Sequence, residues 1–195
     1  YIRTRTMTAA TGTSYVDKYA YYDGLGRPIQ TVQQGITPLE NDLVTLRQYD
    51  GFGRESRTWL PAVVAGNGGA YVPLVRIMSE AKENYGDRKA YSYPIYESSP
   101  LDRVTELYGP GEKWQIADRA ERIRYLTNDG TDSLECLRFS ASDYGPTDTV
   151  VVVSGTGQYI PGEMYVSRIE DEDGNAAFEF RDKRNLVVLV RQVVP

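Results

Sequence analysis

Near the C-terminal end, Ala176, Phe178 and Phe180 interleave with Ala177, Glu179 and Arg181. Successive side chains of an extended strand point to opposite faces, so this period of two predicts a half-buried strand. Turn-forming residues bracket it, with Glu172-Asp173-Gly174-Asn175 ahead and Asp182-Lys183-Arg184-Asn185 behind. The next segment, Leu186–Val193, is apolar on both faces and is predicted to need cover on each side. Left at a sheet edge, it would template pairing with another strand. Glu121–Thr127 and Val150–Val153 are further strand candidates. A three-to-four spacing occurs at Val75, Met78, Lys82 and Tyr85, after Pro73 and before Gly86, and predicts one short helix near residues 73–85. Asn67-Gly68-Gly69, Tyr108-Gly109-Pro110-Gly111 and Gly155-Thr156-Gly157 are loops. The predicted fold is mainly β, antiparallel hairpins and meanders with that one helix. It forms a single module over 1–195, with a division into 1–115 and 116–195 as the alternative.

The strongest internal signal is a repeat. Residues 22–31 read YDGLGRPIQT and residues 49–58 read YDGFGRESRT, an offset of 27. Tyr22, Asp23, Gly24, Gly26, Arg27 and Thr31 recur as Tyr49, Asp50, Gly51, Gly53, Arg54 and Thr58. A strand ending at Tyr-Asp can turn on the Asp carboxylate, which accepts from backbone N–H groups just ahead. Two glycines are expected to supply the positive φ of the reversal. Leu25 or Phe52 at the tip is expected to fold back over the sheet. The Arg then opens the return strand, within reach of the Asp or of a Tyr ring. Each unit is thus a candidate hairpin, and single hairpins need stacked neighbours to be stable. Tyr96–Val104 is a degenerate copy that keeps the aromatic, the tip residue Leu101 and Arg103.

Composition narrows the chemistry. Acidic residues outnumber basic ones, with net charge -5, and no Lys/Arg cluster offers the basic face that duplex binding needs. There is no histidine, which removes the usual general base, the Ser-His and Cys-His pairs and most zinc chemistry. The single cysteine, Cys136, cannot form an internal disulfide and sits in an apolar stretch as a small buried hydrophobe. No window approaches the roughly 20 apolar residues of a membrane-spanning helix. No cofactor or metal is expected. The chain opens on Tyr1 and is expected to be an excised piece of a longer one, so a signal peptide would lie upstream.

The two Tyr-Asp-Gly-x-Gly-Arg segments resemble the YD signature of Rhs/YD-repeat proteins. Asp171–Asn175 followed by Phe178-Glu179-Phe180-Arg181-Asp182 is similar to a second form of that repeat, departing from it with Phe180-Arg181-Asp182 where Tyr-Asp is usual and Asn185 where Gly is expected. The runs Tyr1–Thr4, Ser99–Arg103 and Pro110–Trp114 resemble a segment lying ahead of the repeat array in large bacterial Rhs-like proteins. The resemblance implies a β-sheet shell, a secreted or cell-surface location, further downstream repeats of the same parent chain as partners, and architectural rather than catalytic YD residues. The expected function is therefore a non-enzymatic structural segment. The alternative is a module that binds carbohydrate or protein through exposed rings.

Sharper chemistries compete with this reading. Tyr19, Tyr21, Tyr22, Trp59, Tyr91, Tyr93, Tyr96 and Trp114 are available for ligand stacking, with Tyr21, Trp59, Tyr93 and Trp114 as the chosen candidates. Asp23, Asp50, Asp102, Glu112 and Glu121 supply carboxylates for a glycosidase, but a spacing of about 5–10 Å cannot be read from a sequence. Asp171–Asn175 begins like a calcium loop, yet Ala176 stands where the sixth-position Gly belongs and Asp182 where the Glu does. A solvated turn explains it better. Gly24-Leu25-Gly26 lacks the third glycine and helix start of a phosphate loop, and the neighbouring Asp repels phosphate.

Overall fold

A computed structural model describes residues 1–131, 133–142 and 152–193. The chain is mainly β and antiparallel. It divides into two compact units, Tyr1–Ala120 and Glu121–Pro195.

The first unit is a meander. Its elements are β1 (Ile2–Met7), β2 (Tyr15–Tyr22), β3 (Pro28–Gln33), β4 (Asp42–Tyr49), β5 (Glu55–Trp59), β6 (Ala62–Val64), α1 (Leu74–Tyr85), β7 (Tyr91–Tyr96), β8 (Val104–Tyr108) and α2 (Glu112–Ile116). The strands follow in the order β1-β2-β3-β4-β5-β7-β8, and β6 pairs with β4 beside them. Period-two burial fixes the register: Gln30 and Val32 of β3 and Asp42, Val44 and Leu46 of β4 point inward, with Val32 opposite Val44. Val64, Trp59, Val72 and the α1 residues Ile77 and Ala81 complete this core.

Pro73 fits the helix entry because it lacks an N–H that would go unused, and Gly86 ends α1 in the left-handed region at φ 65. The helix forms where the spacing places it, but with a different face inward. Ile77 and Ala81 are buried, whereas Val75, Met78 and Tyr85 of the predicted stripe are exposed. The expectation of a single helix is corrected by α2, one short turn too brief to show a periodic stripe.

Two buried polar side chains hold the loop that leads into α1. The Gln30 amide donates to Val72 O at 2.8 Å and accepts from Val72 N at 2.7 Å. The Asp42 carboxylate accepts from Gly35 N, Gly69 N and Asn67 Nδ2 at 2.9, 2.6 and 3.1 Å.

The second unit contains β9 (Ala120–Thr127, starting at the boundary), β10 (Leu137–Ser142), β11 (Val152–Gln158), β12 (Tyr165–Glu170), β13 (Ala176–Arg181) and β14 (Val187–Val193). The strands run β9-β12-β13-β14, and β10 pairs with β11 as a separate ribbon. Of the expected strand at Val150–Val153, Val152 and Val153 lie in β11, while 150 and 151 fall outside the described residues. Ala176, Phe178 and Phe180 of β13 face inward, and Phe178 and Phe180 join Val166, Met164 and Cys136 in the core. Beyond β13, β14 is the last strand in the order, and Val187, Val188, Val190 and Val193 are exposed.

Candidate functional site: carboxylate-clamped turns

The duplicated segments form the same turn. In the first, Asp23 Oδ1 accepts from Leu25 N and Arg27 N, both at 2.9 Å, and Oδ2 accepts from Arg27 Nε at 2.7 Å. In the second, Asp50 Oδ1 accepts from Phe52 N at 2.9 Å and Arg54 N at 3.0 Å, and Oδ2 from Arg54 Nε at 2.8 Å. The backbone closes alongside, with Asp23 N donating to Arg27 O and Gly26 N to Asp23 O, and likewise at Asp50. This is a three-residue hairpin loop ending in a left-handed residue, and the strand register slips by one residue behind it.

Only the second glycine of each motif carries the positive φ, Gly26 at 78 and Gly53 at 87. Gly24 and Gly51 do not, which corrects the expectation that both glycines are needed. Two turns of the second unit make the same point. Asp171 Oδ1 accepts from Asp173 N and Asn175 N, and Asp182 Oδ1 accepts from Arg184 N and Leu186 N. Glu172 and Lys183 occupy the first-glycine position there, and Asn185 serves at φ 64 in place of the second. We therefore expect Gly51→Ala to be neutral or to stabilise by about 0.5 kcal/mol. Gly53→Ala is expected to cost about 1–2 kcal/mol, because its φ is 87 and a Cβ would sit 2.9 Å from Arg27 Nη1. Urea unfolding of the two variants measures the difference.

The degenerate copy also closes a turn, with a longer acid. Glu97 takes two bonds from the Arg103 guanidinium at 2.8 and 2.7 Å, and Asp102 holds the left-handed position at φ 52. Successive turns are joined by stacking. Arg27 lies 4.5 Å over the Tyr49 ring, whose hydroxyl donates to Pro28 O, and Arg54 lies 4.4 Å over the Tyr96 ring, whose hydroxyl donates to Glu55 O. Arg54 Nη1 also reaches Asp102 at 3.1 Å. Each Arg thus closes its own turn and carries the Tyr of the next. The tip residues Leu25 and Phe52 do not fold back over the sheet. They stand out into solvent, which corrects the expectation.

These contacts set the titration. The Arg27 backbone N–H leads in holding Asp23 below its ordinary 3.8, helped by the Arg27 side chain and Leu25 N–H. At Asp50 burial pushes upward, but the Arg54 and Phe52 donors outweigh it and the carboxyl is again lowered. Asn175 does the same for Asp171, and the Leu186 and Arg184 backbone N–H groups for Asp182. Arg103, then Ser99, lowers Glu97 to about 2. On β2, Arg5 and then Arg3, reaching across from β1, hold Asp17 below the usual carboxylate range.

A carboxyl depressed in the folded state contributes stability above its unfolded pKa, and that contribution is lost as pH falls through the folded value. The thermal midpoint is therefore expected to fall steeply below about pH 4.5, as the unfolded chain takes up protons that the clamps refuse. With no histidine it should stay nearly flat from about pH 6 to 8.

Asp23 and Asp50 do not converge on a common pocket, since each is engaged inside its own turn. Two other carboxylates do approach. Tyr108 Oη lies 2.5 Å from Asp118 Oδ1 and 2.9 Å from Glu106 Oε2, and this pairing with Asp118, with burial and Glu106 behind it, raises the phenol pKa. Sequence reasoning missed this cluster because its members come from β8 and from the turn after α2. Tyr93 stacks on Tyr108 at 4.7 Å and 5° between planes, so the ring side of the cluster is packed.

The candidate stacking rings fall in separate groups: Trp59 and Tyr93 both meet Tyr91, at 4.8 and 6.2 Å between ring centres, and Tyr21 meets Tyr1 and Tyr71. Trp59 is buried in the core, donates from Nε1 to Gln48 Oε1 and packs on Tyr91, which removes it from the candidates for ligand stacking. Tyr21 packs against the core, and its hydroxyl donates to Gly69 O at 2.6 Å. Trp114, on α2, is partly exposed with Arg119 over its ring at 5.1 Å. The calcium candidate Asp171 spends both oxygens on its turn, with Oδ2 accepting from Asn175 Nδ2. Among the described residues no group of three His, Cys, Asp or Glu is placed to hold a metal. Cys136 is buried, and burial raises its thiol pKa.

Fold and turns together define a class: an antiparallel β meander whose hairpins are locked by carboxylate-clamped reversals. Residues 2–127 match the family described as "Domain of unknown function (DUF6443)". The match covers more than half of the chain, which belongs to that family. Comparison with curated proteins returns no match.

Proposed function

We propose that the chain is a non-enzymatic structural segment of an Rhs/YD-repeat-type protein, secreted or at the cell surface, contributing to a β-sheet shell. The observation that carries this reading is the linkage from turn to turn. Arg27 grips Asp23 and supports Tyr49, and Arg54 grips Asp50 and supports Tyr96. Such a relay extends along a sheet by adding hairpins, each supplying the acid, the Arg and the Tyr that its neighbours use. It employs the motif carboxylates as acceptors for backbone and guanidinium donors, which suits scaffolding better than proton transfer. The exposed apolar β14 edge supports the same reading, because a further repeat would supply both its strand partner and its cover.

Hydrogen exchange on the intact native protein tests this. The β14 amides are expected to exchange as slowly as those of β13, because another strand pairs with them. Fast exchange along β14, together with saturable glycan binding that Trp114→Ala abolishes, would support a self-contained binding module and overturn the proposal.

A further inference from the structure

The apolar residues at the hairpin tips are not required by the turns that present them. Leu25 is 81% exposed, Phe52 87% and Leu101 67%. In the second unit the residue two positions after the clamping Asp is Asp173 in one turn and Arg184 in the other, with the same carboxylate-to-backbone bonds. The geometry therefore accepts either charge at that position. In the first unit it carries Leu and Phe, and the third turn places Leu101 likewise, two residues before its Arg.

Topology puts the three tips in one row. The β2–β3, β4–β5 and β7–β8 connections all lie at the same end of an antiparallel sheet whose order is β2-β3-β4-β5-β7-β8. Neighbouring tips are therefore two strands apart, about 10 Å. Contacts between turns fix this adjacency: Arg27 Nη1 lies beside Gly53, and Arg54 bonds Asp102.

We propose that this rim docks on a zwitterionic lipid surface, with Leu25, Phe52 and Leu101 inserting as separate apolar tips. The choice of occupant rests on area and charge. Three such tips offer on the order of 400 Å² of apolar surface, about half of what one partner contributes to a stable protein interface. They are discrete knobs with the Arg27 and Arg54 side chains between them, Arg54 lying 5.0 Å over the Phe52 ring, so a second copy or a folded partner would need three matching sockets. A lipid interface accommodates isolated apolar groups at any spacing and gains by burying each one. The bases at the rim are all engaged by acids, Arg27 by Asp23, Arg54 by both Asp50 and Asp102, and Arg103 by Glu97. The rim therefore carries no basic excess to select anionic lipid.

Flotation of the full chain with phosphatidylcholine vesicles tests the proposal. The unaltered protein is expected to float with the vesicles, and the triple variant Leu25→Ser, Phe52→Ser, Leu101→Ser to lose about tenfold or more in partitioning. Leu39→Ser, at an equally exposed leucine (82%) between β3 and β4 at the opposite end of the sheet, should float as the unaltered chain does. Circular dichroism and thermal melts confirm folding. Should the triple variant fail to fold, Phe52→Ser alone is expected to weaken flotation several-fold. No flotation of the unaltered protein, equal flotation of the tip variants, or tip-dependent self-association without vesicle binding would overturn it.

Discussion

Asp42→Ala is expected to lower the stability of the chain by about 3 kcal/mol, read as a shift in the urea midpoint at unchanged slope. The carboxylate is buried, and among the described residues no cation bonds to it; it accepts from two backbone N–H groups and the Asn67 amide. Alanine leaves Gly35 N and Gly69 N without an acceptor, Gly69 N in the interior. It also releases the 65–73 loop, whose anchoring at Gly69 and Val72 sets where α1 begins. Asp42→Asn is expected to lose roughly half as much, because one oxygen still accepts while the new amide NH₂ faces another donor.

Phe180→Ala is expected to cost about 3–5 kcal/mol, the cost of emptying a fully buried aromatic site. Phe180 lies opposite Val166 and packs with Met164, Phe178 and Cys136, and Arg191 lies 5.7 Å from its ring centre. Val166 and Phe178 are held in paired strands that cannot close over the void without losing register, while Cys136 and Met164 line it from the connections before β10 and β12. Phe180→Leu keeps most of the volume and is expected to cost less than half of that. The exposed Val190 of β14 supplies the contrast, since Val190→Ala should change stability by less than about 0.5 kcal/mol.

What could be read from the sequence was local. The turns at Asp23 and Asp50 were legible because their acceptor, donors and left-handed glycine lie within five consecutive residues. The β13 strand was legible because its burial alternates without interruption. The α1 helix was legible in position but not in orientation. Two stripes compete along it, and the inward one, Ile77 and Ala81, is smaller than the outward one of Val75, Met78 and Tyr85. Packing against the sheet decides between them, and spacing alone does not contain that choice.

What escaped the sequence depends on partners brought together by the fold. Asp42 bonds Gly69 and Gln30 bonds Val72 across 27 and 42 positions, and nothing near either residue announces it. Asn128, buried, is another such anchor, accepting from Met164 N and donating to Ile160 O. The tips depart from expectation for a different reason. An apolar residue suggests burial, but a residue at the apex of a three-residue loop points away from both strands, whatever its character.

The most direct measurement is a carboxyl-carbon NMR titration of Asp23, Asp50, Asp171 and Asp182. If these acids are scaffolding, all four should titrate below the ordinary aspartate value in single, uncoupled steps. An elevated value at any of them, or a two-step curve shared between a pair, would mark a working acid–base couple and contradict the architectural account.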